Sequence, residues 1–219
     1  MKIVARLTTA AVAASFALAM PASAQITFTG YTNGCFYTGV VACTPEITAG
    51  PATDESGPLT YRNSTFSVMT AAGAAAIGNA PGTPNVNNLG SFSLPADFTS
   101  TDFTGQRFAL NVFFTAPASV VPTNTTFLAT ITGVATTGNA GGVTINFDNN
   151  PKMFTFAGGT FTLEVADVNL TNGIVATSVP VTGNLIATST VVPEPGTYLL
   201  MASGLAGLGI MARRRRNNA

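Results

Sequence analysis

Apolar and polar residues alternate over short stretches through the middle of this chain. A period of two puts successive side chains on opposite faces, the pattern of a half-buried β-strand. In residues 107–114, Phe108, Leu110, Val112 and Phe114 share one face, with Arg107 and Asn111 on the other. Val143, Ile145 and Phe147 point together, as do Phe161, Leu163 and Val165 against Thr162 and Glu164. The same reading predicts strands over 26–29, 60–69, 90–94, 127–132, 153–156 and 181–186. Turn-forming residues sit between them at 137–142, 148–151, 157–159 and 171–173.

Many short strands separated by turns imply an all-β body, a single β-sandwich or jelly-roll-like domain. One stretch breaks the pattern: residues 71–76 are alanine-rich and are expected to form a short helix or a loop over a sheet end. Residues 78–88, with Pro81 and Pro84, read as a loop. No fixed-period repeat is visible, which argues against a solenoid or propeller.

Both ends differ from this body. Lys2 and Arg6 precede an alanine-rich apolar run over 7–20, and Ala22-Ser23-Ala24 is a small-residue cleavage site. This is the pattern of a secretory signal peptide over residues 1–24, cut between Ala24 and Gln25. At the other end Pro193, Glu194 and Pro195 precede 16 uncharged residues, 197–212, and then Arg213, Arg214, Arg215 and Arg216. The prolines keep the start of this segment out of a helix. The apolar run is expected to form a short transmembrane helix inserted transiently in the inner membrane, its arginines held on the cytoplasmic side. Sixteen residues are short for a permanent span of about 20, so processing is favoured over a plain anchor. Gly204, Gly207 and Gly209 also offer a weak helix-dimerisation pattern.

The last 28 residues, 192–219, resemble the PEP-CTERM sorting signal of Gram-negative bacteria: Pro193-Glu194-Pro195, the apolar run and the arginine cluster, in that order. The resemblance implies that exosortase, a membrane-embedded cysteine protease-like enzyme, is a partner along with the secretion machinery. It also implies export across the inner membrane, tail processing, and a final place at the cell surface or outside it. Such tails usually accompany exopolysaccharide production, which implies exopolysaccharide as a further partner. The body, 25–191, loosely resembles the β-rich domains found upstream of such tails, at 89–92, 108–114 and 142–147.

Charge and chemistry narrow the remaining choices. The body holds Arg62, Arg107 and Lys152 against eight carboxylates, a net charge of −5. Nucleic-acid binding depends on clustered cations, so nucleic acid is excluded as a partner. Cys35 and Cys43 have seven residues between them, and in an oxidising compartment a disulfide is expected. A hairpin tip at 38–40 would place them face to face. Closing so small a loop contributes at most about 2–3 kcal/mol.

Histidine is absent, so there is no Ser-His-Asp or Cys-His arrangement and no histidine-ligated zinc. Glu164 and Asp167 are the candidate carboxylate pair for glycosidase work, but a spacing of three puts them on opposite faces of one strand. Asp54 and Glu55 read as a solvated pair in a loop. Asp148-Asn149-Asn150, with Asp97 and Asp102, has oxygen ligands suited to calcium, although Asx turns account for the same residues. Tyr31, Tyr37 and Tyr61, if exposed, could stack on sugars. The expectation is therefore a secreted non-enzymatic protein with no cofactor and no metal site. Its expected role is structural or adhesive in a biofilm or extracellular matrix, with a carbohydrate- or calcium-binding module as the alternative.

Overall fold

The computed structural model describes residues 25–43, 53–78, 87–95, 100–136, 142–170, 178–189 and 196–216. Among them are sixteen strands and one helix. The first strands are β1 (Thr27–Thr38), β2 (Thr53–Ser56), β3 (Leu59–Arg62), β4 (Thr65–Met69), β5 (Ala74–Ile77) and β6 (Ser91–Ser93). Next come β7 (Thr101–Asp102), β8 (Gln106–Ala116), β9 (Asn124–Thr132), β10 (Val134–Ala135) and β11 (Val143–Phe147). The last are β12 (Lys152–Phe156), β13 (Gly159–Val165), β14 (Val168–Leu170), β15 (Ser178–Pro180) and β16 (Gly183–Ser189). Helix α1 is Gly196–Arg216.

The body, Gln25–Thr190, is one unit and the tail helix belongs to another. In the body a six-stranded sheet runs β14-β11-β9-β8-β1-β4. Two four-stranded sheets, β12-β13-β16-β5 and β15-β6-β3-β2, form the opposing layer. Leu89 donates its amide to Val181 O at 2.9 Å, and Val181 donates to Gly90 O at 2.8 Å. These bonds carry the pairing from β15 on to β16 and stitch the two smaller sheets together. A two-stranded ribbon, β10-β7, completes the set.

Aromatic side chains fill the space between layers. Phe28 of β1 meets Phe161 of β13 at 4.7 Å between ring centroids, and Phe114 of β8 meets Phe154 of β12 at 4.9 Å. Over the other small sheet, Phe108 of β8 meets Tyr61 of β3 at 4.7 Å and Phe92 of β6 at 4.9 Å. The alternation in β8 places Phe108, Leu110, Val112 and Phe114 on this inner face, all buried. The all-β sandwich implied by the alternation is the observed architecture.

Several local expectations are corrected. The predicted strand over 60–69 is two strands, because β3 pairs with β6 in one layer and β4 pairs with β1 in the other. The chain changes layer at Asn63-Ser64. Both residues are buried there; Asn63 donates to Asn33 Oδ1 at 2.8 Å, and Ser64 N donates to Thr32 Oγ1 at 3.2 Å. The alanine-rich stretch forms neither helix nor loop over most of its length. Ala74–Ile77 is a strand paired with β16, because ladder bonds to an open sheet edge outweigh alanine's helix propensity. Asp54 and Glu55 lie in β2, where Asp54 accepts the Phe36 amide at 2.6 Å.

Tyr61 is wholly buried and donates its hydroxyl to Leu89 O at 2.7 Å. Its hydroxyl also lies 3.1 Å from Thr32 Oγ1. Burial pushes its phenol well above the usual tyrosine range, a shift only partly offset by the Thr32 bond. The unfolded chain therefore loses this proton near pH 10 while the folded chain keeps it. The contribution to stability is full below that pH and is lost as pH rises above it. In Tyr61→Phe, unfolding curves are expected to show a decline above pH 10 shallower by about 1.4 kcal/mol per pH unit. At neutral pH the same variant is expected to lose about 1–3 kcal/mol, because the buried Leu89 carbonyl is left without its partner. An unchanged alkaline slope in urea titrations would contradict this role.

Candidate functional site

The candidate sorting helix, α1, is built from uncharged helix-compatible residues and ends in four cations. Arg213, Arg214, Arg215 and Arg216 occupy its last turn, where positive charge complements the negative end of the helix dipole. All four are exposed, and so are the apolar Met201, Leu205, Leu208 and Met211. The helix thus presents bare apolar side chains next to a basic end.

The expectation of a transmembrane helix is corrected. No helix among the described residues is long and apolar enough to cross a membrane. The uncharged run of 16 residues rises about 24 Å at 1.5 Å per residue, against a hydrocarbon core of about 30 Å. Its glycines lower its hydropathy further. Pro193, Glu194 and Pro195, the signal peptide and Ala24 lie outside the described residues; Gln25 is described and exposed.

In the body, Cys35 and Cys43 form a disulfide. The expected hairpin tip at 38–40 is absent. Strand β1 instead runs on to Thr38, with Cys35 opposite Ala109 of β8, and Cys43 reaches back to it from outside the strand. The disulfide therefore ties the segment after β1 back to the C-terminal part of that strand.

The acidic residues are dispersed and mostly engaged. Asp167 lies beyond the end of β13 and accepts the Phe147 amide at 2.8 Å, locking the end of β11. Glu164 is exposed within β13, on the outer face of its sheet beside Asn184. Asp148 is paired with Lys152 at 3.0 Å. Asp102 accepts the Thr104 amide at 2.8 Å, and bonding to Thr104, its hydroxyl first and its amide second, holds the carboxyl below its usual range. Asp97 lies outside the described residues. No group of three potential metal ligands of the histidine, cysteine or carboxylate type occurs among the described residues.

Of the three tyrosines, Tyr61 is a core residue and offers no exposed ring. Tyr31 stacks flat on Phe113 at 4.7 Å. Tyr37 lines a shallow groove on the outer face of the six-stranded sheet, together with Arg107, Leu128, Thr130, Asn146 and Asp148. The sequence pattern put Arg107 on the outward face of its strand. The alignment of Tyr37, Thr130 and Asn146 beside it depends on strand register, for which no local signal exists.

Comparison with known proteins separates the two units. Residues 191–216 match the family model described as a PEP-CTERM protein-sorting motif. This chain is a PEP-CTERM domain-containing protein. The match takes in the Pro-Glu-Pro residues, the whole of α1 and the four arginines. No curated protein and no solved structure matches the chain. The PEP-CTERM motif indicates an exosortase-sorted protein that is exported to the surface or the extracellular space. The basic-ended helix is thus the part that the sorting enzyme handles, and the sandwich is its cargo.

Proposed function

We propose that the sandwich is a structural and adhesive component of an exopolysaccharide matrix or biofilm, and that it binds without catalysing a reaction. The observation that carries this reading is the joining of the PEP-CTERM motif to a rigid antiparallel sandwich. An aromatic-packed, disulfide-tied body suits a passive extracellular role. Hydrolysis needs a nucleophile with its base, or two carboxylates about 5–10 Å apart across a bound substrate. Glu164 stands on an open sheet face, Asp167 bonds a strand end and Asp148 is ion-paired with Lys152, an arrangement that supports the non-enzymatic reading.

The test is co-sedimentation of the full exported chain with matrix polysaccharide from an exosortase-bearing host. Recovery of most of the protein in the polysaccharide pellet is expected, with no release of reducing ends during incubation. Protein left wholly in the supernatant would reject the adhesive role, and release of reducing ends would reject the non-enzymatic one.

A further inference from the structure

The groove on the outer face of the large sheet gathers side chains from four strands. Strand pairing sets Tyr37 opposite Arg107, Arg107 opposite Thr130, and Thr130 opposite Asn146. These four residues form one row across β1, β8, β9 and β11, about 14 Å long at the usual spacing between strands. Leu128, 42% exposed, lies in the adjacent row, and the Asp148 amide bonds the Leu128 carbonyl at 3.0 Å. The groove is open and about 210 Å³ in volume.

The charges lining this groove are Arg107 and Asp148, and Asp148 is paired with Lys152 outside it. Lys152 is satisfied by Asp148 at 3.0 Å. Arg107 is half-buried and makes no ion pair and no side-chain hydrogen bond among the described residues. It is an unpaired cation in a body whose net charge is −5. A guanidinium partly withdrawn from water forms its strongest bonds with a planar anion taken in two parallel contacts, and a carboxylate has that shape. Beside it the Tyr37 ring and the Leu128 side chain offer apolar surface, and Thr130 and Asn146 offer donors and acceptors. A carboxylate beside a ring with an apolar C–H face and several hydroxyls is the chemistry of a uronic acid.

We propose that this row is a binding site for an acidic saccharide, with Arg107 bonding a uronate carboxylate, Tyr37 and Leu128 packing on the sugar ring, and Thr130 and Asn146 bonding its hydroxyls. The site rests on the matrix-binding reading above and names the ligand class and the residues. The ion pair also gives a salt dependence: binding weakens as ionic strength screens Arg107.

The test is calorimetric titration of the full chain with trigalacturonate, with maltotriose and sodium acetate as controls. Wild-type protein is expected to bind trigalacturonate more tightly than either control. Arg107→Gln is expected to lower that affinity about tenfold or more, the usual scale for losing a charge-assisted pair. Asn146→Ala, on an exposed position of β11, is expected to lower it less while leaving the thermal midpoint unchanged, which covers the case in which Arg107→Gln folds poorly. Equal affinity of wild type and Arg107→Gln for trigalacturonate, or maltotriose bound as tightly, would overturn the site; acetate bound as tightly would reduce it to a bare anion contact and overturn the saccharide. If Arg107→Gln still pellets fully with matrix polysaccharide, the site fails and the adhesive role stands. If wild type does not pellet at all, the adhesive role fails.

Discussion

Replacing Phe108 by alanine is expected to lower the unfolding free energy of the sandwich by about 3–5 kcal/mol. Phe108 is wholly buried and its ring lies against four others. Phe36 and Phe147, at 5.0 and 6.4 Å between centroids, belong to its own sheet. Tyr61 and Phe92, at 4.7 and 4.9 Å, belong to the opposing layer. Truncation removes the transfer energy of the ring and leaves a cavity that rigid strands on both sides cannot close. The tilted and edge-on pairings add about 0.5–1.5 kcal/mol each beyond area burial. The thermal midpoint is expected to fall by roughly 6–20 °C for a domain of this size. Thr130→Ala, on the exposed face of the same sheet, is expected to stay within about 0.5 kcal/mol. A loss below about 1 kcal/mol in Phe108→Ala, measured by urea unfolding with an unchanged slope, would contradict the two-layer packing.

The alternation that places Phe108 inward could be read directly from the chain. Period two gave β8, β11 and β13 with the correct inner faces because the pattern is local, although β8 is buried on both faces from Phe108 to Phe114. What could not be read is what depends on the partner strand. Gly34 shows this. It lies within β1, beyond the strand read over 26–29, and a Cβ there would sit 2.2 Å from Phe108 and 2.5 Å from Tyr61. The glycine serves close packing of two aromatic rings and marks no end of the strand. The change of layer at Asn63-Ser64 and the strand at Ala74–Ile77 were hidden for a similar reason, since both are decided by which sheet edge is available. The cysteine count foretold the disulfide, whereas the hairpin guessed for it did not form. The row from Tyr37 to Asn146 joins four strands distant in sequence, and only their register brings it together. The sorting signal was legible because its parts are contiguous in sequence.

That signal carries the second large effect. Replacing Pro193, Glu194 and Pro195 together by alanine is expected to abolish release of the protein to the surface, leaving it with the cell fraction and its tail intact. Proline disfavours helix both at its own position and at the residue before it, so Pro193 and Pro195 oppose extension of a helix through this segment. With alanine in their place this barrier is gone and the Pro-Glu-Pro sequence itself is lost. The sandwich itself, Gln25–Thr190, is expected to keep its thermal midpoint within about 1 °C, since surface changes away from packed features alter stability by under about 0.5 kcal/mol. Normal release of the variant, or a sandwich unfolded by it, would rule out a dedicated signal.

The central claim is that this is an exported protein whose C-terminal segment is read and removed. It is tested most directly by the intact mass of the mature protein, purified from the surface of a host that has exosortase. The mass is expected to correspond to a chain that begins at Gln25 and lacks Arg213, Arg214, Arg215 and Arg216. A mature surface protein that still carries all four arginines would contradict sorting by cleavage and leave α1 as a retained tail.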